Sequence, residues 1–200
     1  MKVDVRTTDG EPMSWQHATL PVGSALRIAP AFVARTEDPE SGLETTLHAS
    51  YEASFGRYVI GEVANRALRP DIEVNNRTLR EVPIQGVMQA AAPRCIALTL
   101  DSETDPAATW LTAADLAKAK GRIIPQWLAK DVVQRGNKQE RMDVIEILYG
   151  TAALAGLPPV KAVQEELGVP HRTASDWIKK ARAAGRLEGM TYIVGRQANG

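Results

Sequence analysis

The sequence predicts an α+β fold, with an N-terminal domain built on an antiparallel sheet and an all-α C-terminal domain. Between Ser24 and Leu100, short apolar runs of strand length are separated by turn-forming residues. From Thr112 onward, apolar residues recur every three or four positions, as they do in amphipathic helices. The period changes across a polar, proline-containing segment, residues 101–109. The predicted divisions are a first domain at 1–100, a linker at 101–111, a helical domain at 112–188 and a tail at 189–200.

The first domain begins with a polar arm and continues with three predicted strands. Residues 1–19 show no clear period, so we expect a loose arm or an edge strand there. Ala25–Arg35 and Leu43–Ala53 are predicted strands because they are rich in apolar residues and the turn-rich segment 36–42 separates them. The run at 57–63 predicts a third strand.

A turn, a helix and a strand complete this domain. The pair Asn75-Asn76 indicates a turn before Thr78–Val82. Prolines bracket Ile84–Ala92, whose spacing predicts a helix. Cys95–Leu100 is apolar and predicts a strand, so the single cysteine, Cys95, is expected to be a small buried apolar residue rather than a nucleophile.

The second domain begins with three predicted helices. They run from Thr112 to Gly121, from Pro125 to about Gln134, and over Gln139–Ala155. Thr112 and Asp115 have the spacing of an N-terminal cap, and Gly136-Asn137 would end the second helix. Apolar residues repeat along the third helix at Met142, Ile145, Leu148, Tyr149 and Ala152. This longest helix would support the segment that follows it.

Two helices separated by a short turn are predicted at 159–185. A helical pattern over Val160–Leu167 is followed by Gly168-Val169-Pro170, and a second pattern runs over His171–Ala184 and ends at Gly185. Two helices joined by a glycine-containing turn of three or four residues have the layout of a DNA-binding helix-turn-helix. The residues expected to pack the two helices together are Val163, Leu167, Val169, Ala174, Trp177 and Ile178.

This segment resembles the C-terminal helix-turn-helix of actinobacterial and phage-associated transcriptional regulators. The matching positions are Pro159, Lys161, Ala162, Val163, Glu165, Gly168, Val169, Thr173, Ala174, Trp177, Ile178, Ala181, Arg182, Gly185 and Leu187. Two positions depart from the pattern. Gln164 stands where the pattern prefers alanine, and Asp176 stands where a basic or neutral polar residue is usual. Asp176 would accept a hydrogen bond from cytosine or pair with Lys180.

The polar face of the second helix supplies the predicted binding residues. The predicted DNA-binding set is Lys161, His171, Arg172, Thr173, Ser175, Asp176, Lys179, Lys180 and Arg182. Arg172, Ser175, Asp176 and Lys179 share one face, with His171 at its N-terminal end, and are assigned to base contacts. We expect Lys161, Lys180 and Arg182 to contact phosphate mainly.

Charge is concentrated in the same part of the chain. The whole protein has a formal net charge of zero. From Lys130 to the end, eleven basic residues stand against eight acidic ones, and within His171–Leu187 five stand against one. This bias fits contact with phosphates, although a solvated helix face can show the same composition.

The residue types of an enzyme or metal site are not grouped in this sequence. The three histidines are scattered, there is no phosphate-binding glycine loop and no nucleophile elbow, and Glu165-Glu166 is expected to be ordinary surface charge. We expect no enzymatic activity, no cofactor and no metal. No apolar run is long enough to cross a bilayer and the N-terminus lacks the pattern of a signal peptide, so a cytoplasmic protein without a membrane partner is expected.

The sequence supports two candidate functions. The first is a sequence-specific double-stranded DNA-binding protein, a transcriptional regulator of a bacterial or phage or mobile-element locus. The alternative is a non-enzymatic scaffold or adaptor that uses the helical region for protein contacts. The resemblance implies that the first domain dimerises or binds a small ligand or protein partner. One helix-turn-helix reads only a few base pairs, so we expect a homodimer.

Overall fold

The computed structural model describes residues 2–99, 109–134 and 138–193. Within these ranges the chain forms two four-stranded antiparallel sheets and seven α-helices, and five of the helices follow Thr112, which confirms the predicted α+β class. The predicted linker falls mainly outside the described residues, as do Gly136-Asn137 and the end of the predicted tail.

The strands are β1 (Val3–Arg6), β2 (Leu20–Val22), β3 (Leu26–Ile28), β4 (Ala31–Asp38), β5 (Leu43–Glu52), β6 (Arg57–Ala67), β7 (Ile96–Leu98) and β8 (Leu111–Thr112). The helices are α1 (Asn76–Arg80), α2 (Ile84–Ala91), α3 (Ala113–Lys120), α4 (Gln126–Gln134), α5 (Lys138–Leu154), α6 (Pro159–Leu167) and α7 (His171–Ala183). Two short 3-10 turns lie at Trp15–His17 and Ala92–Arg94.

The first sheet has the order β1-β4-β5-β6 and buries one face. Its register places Val5 opposite Ala34, and Ala34 opposite Leu47, so that alternate apolar side chains point to the core. Helix α2 packs against β1 and β4. The other face carries charge: the Arg66 guanidinium donates to the Glu44 carboxylate at 3.0 Å and forms an ion pair with it. This sheet therefore has the alternating pattern of an antiparallel sheet with one solvated face.

The second sheet has the order β2-β3-β7-β8 and joins the two halves of the chain. All three residues of β7 are buried, and β7 pairs on one side with β3 and on the other with β8. Cys95, just before β7, is fully buried as expected, and burial raises the pKa of its thiol far above the ordinary value. Its thiolate, the nucleophilic form, is therefore disfavoured.

Several local predictions are confirmed and some are wrong. Residues 3–6 form the predicted edge strand, and Thr112 caps α3 with its hydroxyl accepting from the Asp115 amide at 3.1 Å. The predicted single strand Ala25–Arg35 is wrong: Pro30 separates β3 from β4, and the two strands lie in different sheets. The strand predicted at 57–63, β6, extends to Ala67 because it pairs along the whole of β5. The predicted turn at Asn75-Asn76 is instead a helix start: the Asn75 side chain accepts hydrogen bonds from the Arg77 and Thr78 amides of α1.

Helix α5 is the centre of the molecule. Every residue from Val144 to Leu154 is buried, so this part of the helix is enclosed on all sides. A single contiguous cluster of buried side chains includes Phe32 of the first sheet, Ile145 of α5 and Ile178 of α7. The sheets and the C-terminal helices therefore share one hydrophobic core.

A buried carboxylate links α5 to the second sheet. Glu146 has no exposed surface, and its carboxylate accepts hydrogen bonds from the Ser24 hydroxyl at 2.9 Å and the Ala25 amide at 3.1 Å, as well as from the Ser24 amide. Arg186, after α7, forms an ion pair with Glu146 at 2.9 Å and a second one with Asp143. The Glu146 charge is thus compensated by groups from two distant parts of the chain.

After α7 the chain returns to the sheets. The Tyr51 hydroxyl donates to the Gly189 carbonyl at 2.7 Å, and the Thr191 amide donates to the Gly56 carbonyl at 2.8 Å. Met190 is buried between these contacts. Between Leu187 and Ile193, where the described part of the chain ends, there is no strand, so these residues form no wing.

Candidate nucleic-acid interface

Helices α6 and α7 are joined by three residues, as predicted. Gly168 ends α6 in the left-handed conformation, with φ of 65°, and its amide donates to the Gln164 carbonyl at 2.8 Å. Pro170 directly precedes α7, so the chain enters the second helix without a further loop. The two helices pack through five of the six predicted residues in buried positions: Val163, Leu167, Val169, Ala174 and Ile178. Trp177 is half-buried at the edge of the same cluster.

The predicted DNA-binding residues all lie at the surface of this α6–α7 unit. His171, Arg172, Asp176 and Lys179 are exposed, and Ser175 beside them is half-buried. Lys161, Lys180 and Arg182 are exposed, and Thr173 is half-buried. Three side chains of α7 on the opposite side, Ala174, Ile178 and Ala181, are buried. Helix α7 therefore has one face in the core and one polar face in solvent.

The negative charge of Asp176 is compensated by a lysine of the same helix. Its carboxylate forms an ion pair with Lys180, one turn later, at 2.8 Å. The hydrogen bond from Lys180 holds the pKa of Asp176 below its ordinary value, and the charges of Lys179 and Arg172 act in the same direction. The carboxylate is therefore ionised at neutral pH. Of the two arrangements considered from the sequence, the Lys180 pair is the one present in the unbound protein.

Lys161 is part of a similar exposed pair. Its ammonium group lies 3.7 Å from Glu165, one turn further along α6. Both side chains are mostly exposed, so the pair contributes little to stability and leaves Lys161 accessible.

Arg182 and Arg186 attach α7 to α5, which the sequence analysis did not foresee. The Arg182 guanidinium donates to the Tyr149 hydroxyl at 2.8 Å and lies 5.5 Å from the centre of its ring. Arg186 is paired with Asp143 and Glu146, both on α5. Tyr149 could be identified from the sequence only as an apolar repeat position, because its partner lies 33 residues away. Arg182, which we assigned to phosphate contact, thus also positions the helix.

Trp177 contacts an arginine of α5. The Arg141 guanidinium carbon lies 4.6 Å from the centre of the Trp177 ring, within the range of a cation–π interaction. The same guanidinium donates to the Val132 carbonyl of α4 at 3.1 Å. Arg141 therefore holds α4, α5 and α7 together.

Glu166 is not the ordinary surface acid that we expected. Its carboxylate accepts hydrogen bonds from the Ile123 amide at 3.1 Å and the Ile124 amide at 3.3 Å, and it lies 3.5 Å from Arg122. It fixes the connection between α3 and α4 against the end of α6. Glu165 is exposed, as predicted.

The described residues form neither a metal site nor a membrane-spanning helix. Over residues 2–99, 109–134 and 138–193, no three His, Cys, Asp or Glu side chains are grouped so that they could hold a metal ion. In those ranges, too, none of the helices combines the length and the apolar character needed to cross a membrane. Comparisons with protein-family models, curated proteins and solved structures found no match. We therefore infer a function from the chemistry and geometry of the α6–α7 unit.

Proposed function

We propose that the protein is a sequence-specific double-stranded DNA-binding protein that acts as a transcriptional regulator of a bacterial or phage or mobile-element locus. The observation that carries the proposal is the surface of α7. Its polar face is exposed while its other face is buried against α5 and α6, and a three-residue turn precedes it. This is the arrangement in which the second helix of a helix-turn-helix enters the major groove. Its DNA target would place the protein in the cytoplasm.

The exposed side chains form two groups, those that would contact bases and those that would contact phosphates. Arg172, Ser175 and Lys179 present donors along the face that would point into the groove, with His171 at its N-terminal end. An arginine or lysine there suits guanine, which offers two acceptors in the major groove. Asp176 suits cytosine, whose amino group is a donor. Base contact by Asp176 requires its carboxylate to exchange the Lys180 ammonium for that amino group.

The phosphate contacts would come from the flanks of the unit. Lys161 lies on α6, and Lys180 and Arg182 lie on α7, and all three side chains are exposed. Each cation that neutralises a phosphate releases condensed counterions, so that affinity falls as salt rises. In a plot of log affinity against log salt concentration, three such contacts predict a slope of about −3 for one protomer and about −5 for a homodimer on two half-sites.

The test begins with a pool of random-sequence duplexes. The full-length protein should enrich a defined sequence, and the enriched duplex should then be titrated by fluorescence anisotropy at about 50 mM and about 200 mM salt. We expect preference for that duplex over a scrambled one at both concentrations, and weaker binding of both duplexes at the higher one. The proposal is wrong if no sequence is enriched, or if the affinity does not change with salt.

A second candidate is a scaffold or adaptor that binds another protein through the helical region. Trp127 of α4 supports it, because this large aromatic side chain is 69% exposed. Exposed tryptophan is enriched at the centres of protein interfaces. Trp127→Ala separates the two functions: it should leave DNA affinity unchanged if α7 is the binding element, and abolish partner binding if the adaptor function is correct.

We also propose that the DNA-binding form is a homodimer assembled through the first sheet. Among the described residues, no strand pairs with the outer side of β6, which is eleven residues long. A long unpaired strand edge offers backbone donors and acceptors to a second strand. Two copies related by a twofold axis would present two α7 helices to two half-sites.

A further inference from the structure

A groove runs along the side of α7 next to the proposed base-reading face. It lies between α5 and α7 and has a volume of about 630 Å³, which is within the range of small-molecule sites. Met142 of α5 and Ala183 at the end of α7 contribute apolar surface, and Trp177 contributes an aromatic ring. This composition is suited to the apolar body of a ligand rather than to water alone.

Three cations surround this apolar surface. Lys138 and Arg141 come from α5 and Lys180 comes from α7, and no carboxylate of the described residues lines the groove. Arg141 is held in place by its contacts with Trp177 and the Val132 carbonyl, so its charge is positioned before any ligand binds. A fixed guanidinium beside two lysines is complementary to a negatively charged group.

We propose that this groove, which we call the α5–α7 groove, binds a small organic anion with an apolar body, such as an aryl-substituted carboxylate. The anionic group is placed among Lys138, Arg141 and Lys180, and the apolar body lies against Met142, Trp177 and Ala183. The phosphodiester backbone of DNA would satisfy the same three cations, but it has no apolar part to cover the floor of the groove.

Occupation of the groove would act on α7 through Lys180. This side chain lines the groove and is also paired with Asp176 at 2.8 Å. An anion in the groove attracts the Lys180 ammonium group and weakens that pair, which leaves more negative charge on the exposed face of α7. This step rests on the proposed DNA-binding function: the anion lowers the affinity for DNA, and DNA lowers the affinity for the anion by the same factor.

The binding itself is tested without DNA. The probes are 4-phenylbutanoate and its neutral amide, 4-phenylbutanamide, added to the ¹⁵N-labelled full-length protein. The indole N–H signals of the four tryptophans are followed, and the Trp177 signal is identified by its loss in Trp177→Phe. We expect the carboxylate to shift the Trp177 signal selectively, with a Kd at least about tenfold lower than that of the amide. Equal shifts from both probes, or similar shifts of all four indoles, would overturn the proposal.

A matched pair of charge reversals tests the cationic rim. Lys138→Glu removes a cation of the groove, and an acidic residue in the first turn of α5 is compatible with the helix dipole, so folding is preserved. Lys130→Glu is the control, because Lys130 is exposed on α4 and does not line the groove. We expect Lys138→Glu to raise the Kd for 4-phenylbutanoate by about fivefold or more, and Lys130→Glu to leave it unchanged. Equal effects of the two variants would show that the groove does not select the anion.

The link to DNA is tested separately by adding 4-phenylbutanoate to the anisotropy titration. Weaker DNA binding by the wild type, with a smaller effect in Lys138→Glu, supports the coupling. If the Trp177 signal responds to the carboxylate but DNA affinity does not change, the coupling is wrong and the binding site stands. If the signal responds to duplex DNA and not to the carboxylate, the groove serves the DNA backbone and the proposal is wrong.

Discussion

The basic residues of the C-terminal region have two different tasks. Arg172 and Lys179 are exposed on the free face of α7. Arg182 and Arg186 are bonded to side chains of α5, although Arg182 keeps exposed surface. The same residue type therefore either presents charge to solvent or fixes the helix, and the neighbouring residues of α5 decide which.

Arg172→Ala is expected to weaken binding to the preferred duplex by about 1–3 kcal/mol and to relax the preference at one base pair. The physical reason is the loss of two donors that would pair with one base. Anisotropy with duplexes carrying each base pair in turn measures it. Arg80→Ala, which removes an exposed arginine of α1, is the control and should have no effect.

Lys180→Ala provides the comparison with a phosphate contact. We expect it to weaken all duplexes alike and to reduce the magnitude of the salt slope by about 1 for each protomer bound. If neither Arg172→Ala nor Lys180→Ala changes DNA affinity, α7 is not the helix that reads DNA.

Asp176→Asn is expected to strengthen non-specific DNA binding by about three- to tenfold, because it removes one negative charge from the proposed DNA-binding face and frees Lys180 from its ion pair. The lowered pKa of Asp176 means that the wild-type carboxylate keeps this charge at every pH above its ordinary value of 3.8. Random duplexes in the anisotropy assay measure the change. Unchanged affinity for all duplexes would show that Asp176 does not face DNA.

Glu146→Ala is expected to lower the free energy of unfolding by about 3–5 kcal/mol. The variant leaves the Arg186 guanidinium with Asp143 alone and removes the acceptor of the Ser24 and Ala25 amides. Urea denaturation measures this quantity. Glu165→Ala is the matched control, since that carboxylate is exposed in its pair with Lys161, and its loss should cost less than about 1 kcal/mol. Similar losses in the two variants would contradict the role given to Glu146.

At the scale of the elements, α5 determines how α7 is held. Its N-terminal part contributes Arg141 and Asp143, and its middle contributes Glu146 and Tyr149. Strands, loops and other helices pack against α5, so it has no exposed side from Val144 to Leu154. An ordinary amphipathic helix would leave one side in solvent.

At Gly150 of α5, the neighbouring side chains oppose the usual preference of a helix for alanine over glycine. Alanine stabilises a helix by about 1 kcal/mol relative to glycine. At Gly150, however, an added Cβ would lie 2.5 Å from the Leu26 side chain and still closer to Met190. Both neighbours are buried, so Gly150→Ala is expected to lower the unfolding free energy by a net amount of about 1–2 kcal/mol.

The measurement for Gly150→Ala is again urea denaturation. Gly61→Ala is its control, because Gly61 lies on β6 and nothing is within 4 Å of the added carbon. This control should change stability by less than about 0.5 kcal/mol. A stabilised Gly150→Ala variant would mean that Met190 and Leu26 can move aside at little cost.

At the scale of the whole molecule, the core is continuous from the sheets to α7. The carboxylate of Glu146 and the returning segment at 189–191 add polar links between the two halves. The α6–α7 unit is therefore held in a fixed position against the sheets, and two copies paired through the first sheet would hold their α7 helices at a fixed separation.

The proposed dimer can be tested by sedimentation velocity of the full-length protein over a range of concentrations. We expect reversible dimerisation, and we expect Ala64→Lys to weaken it, because a charge on an edge strand opposes pairing of two copies. Ala64 is exposed on β6, in the part of the strand beyond the contact with Thr191. Ser50→Lys is the control: Ser50 is exposed on β5, which is already paired on both sides. A wild-type protein that remains monomeric throughout would rule out self-pairing.

Local features of the sequence determined the order and type of most elements. The spacing of apolar residues predicted the change from strands to helices, and the boundaries of α5, α6 and α7 agree within a residue. The cap at Thr112 and the turn at Gly168 were also predictable, because a cap or a left-handed turn depends only on a few adjacent residues. For the same reason, the exposed residues of α7 could be predicted from the sequence.

Only the tertiary structure determined which side chains contact each other across long distances in the sequence. Glu146 contacts Ser24 across 122 positions, and Arg182 contacts Tyr149 across 33. Neither pair can be predicted from adjacent residues. A buried carboxylate, for example, needs hydrogen-bond donors, but the residues next to it in the sequence do not indicate which donors those are. The cations of the α5–α7 groove are likewise brought together by the packing of two helices. Periodicity therefore determined which side of each helix is buried, and long-range packing determined which charges hold α7 and which remain available to a ligand.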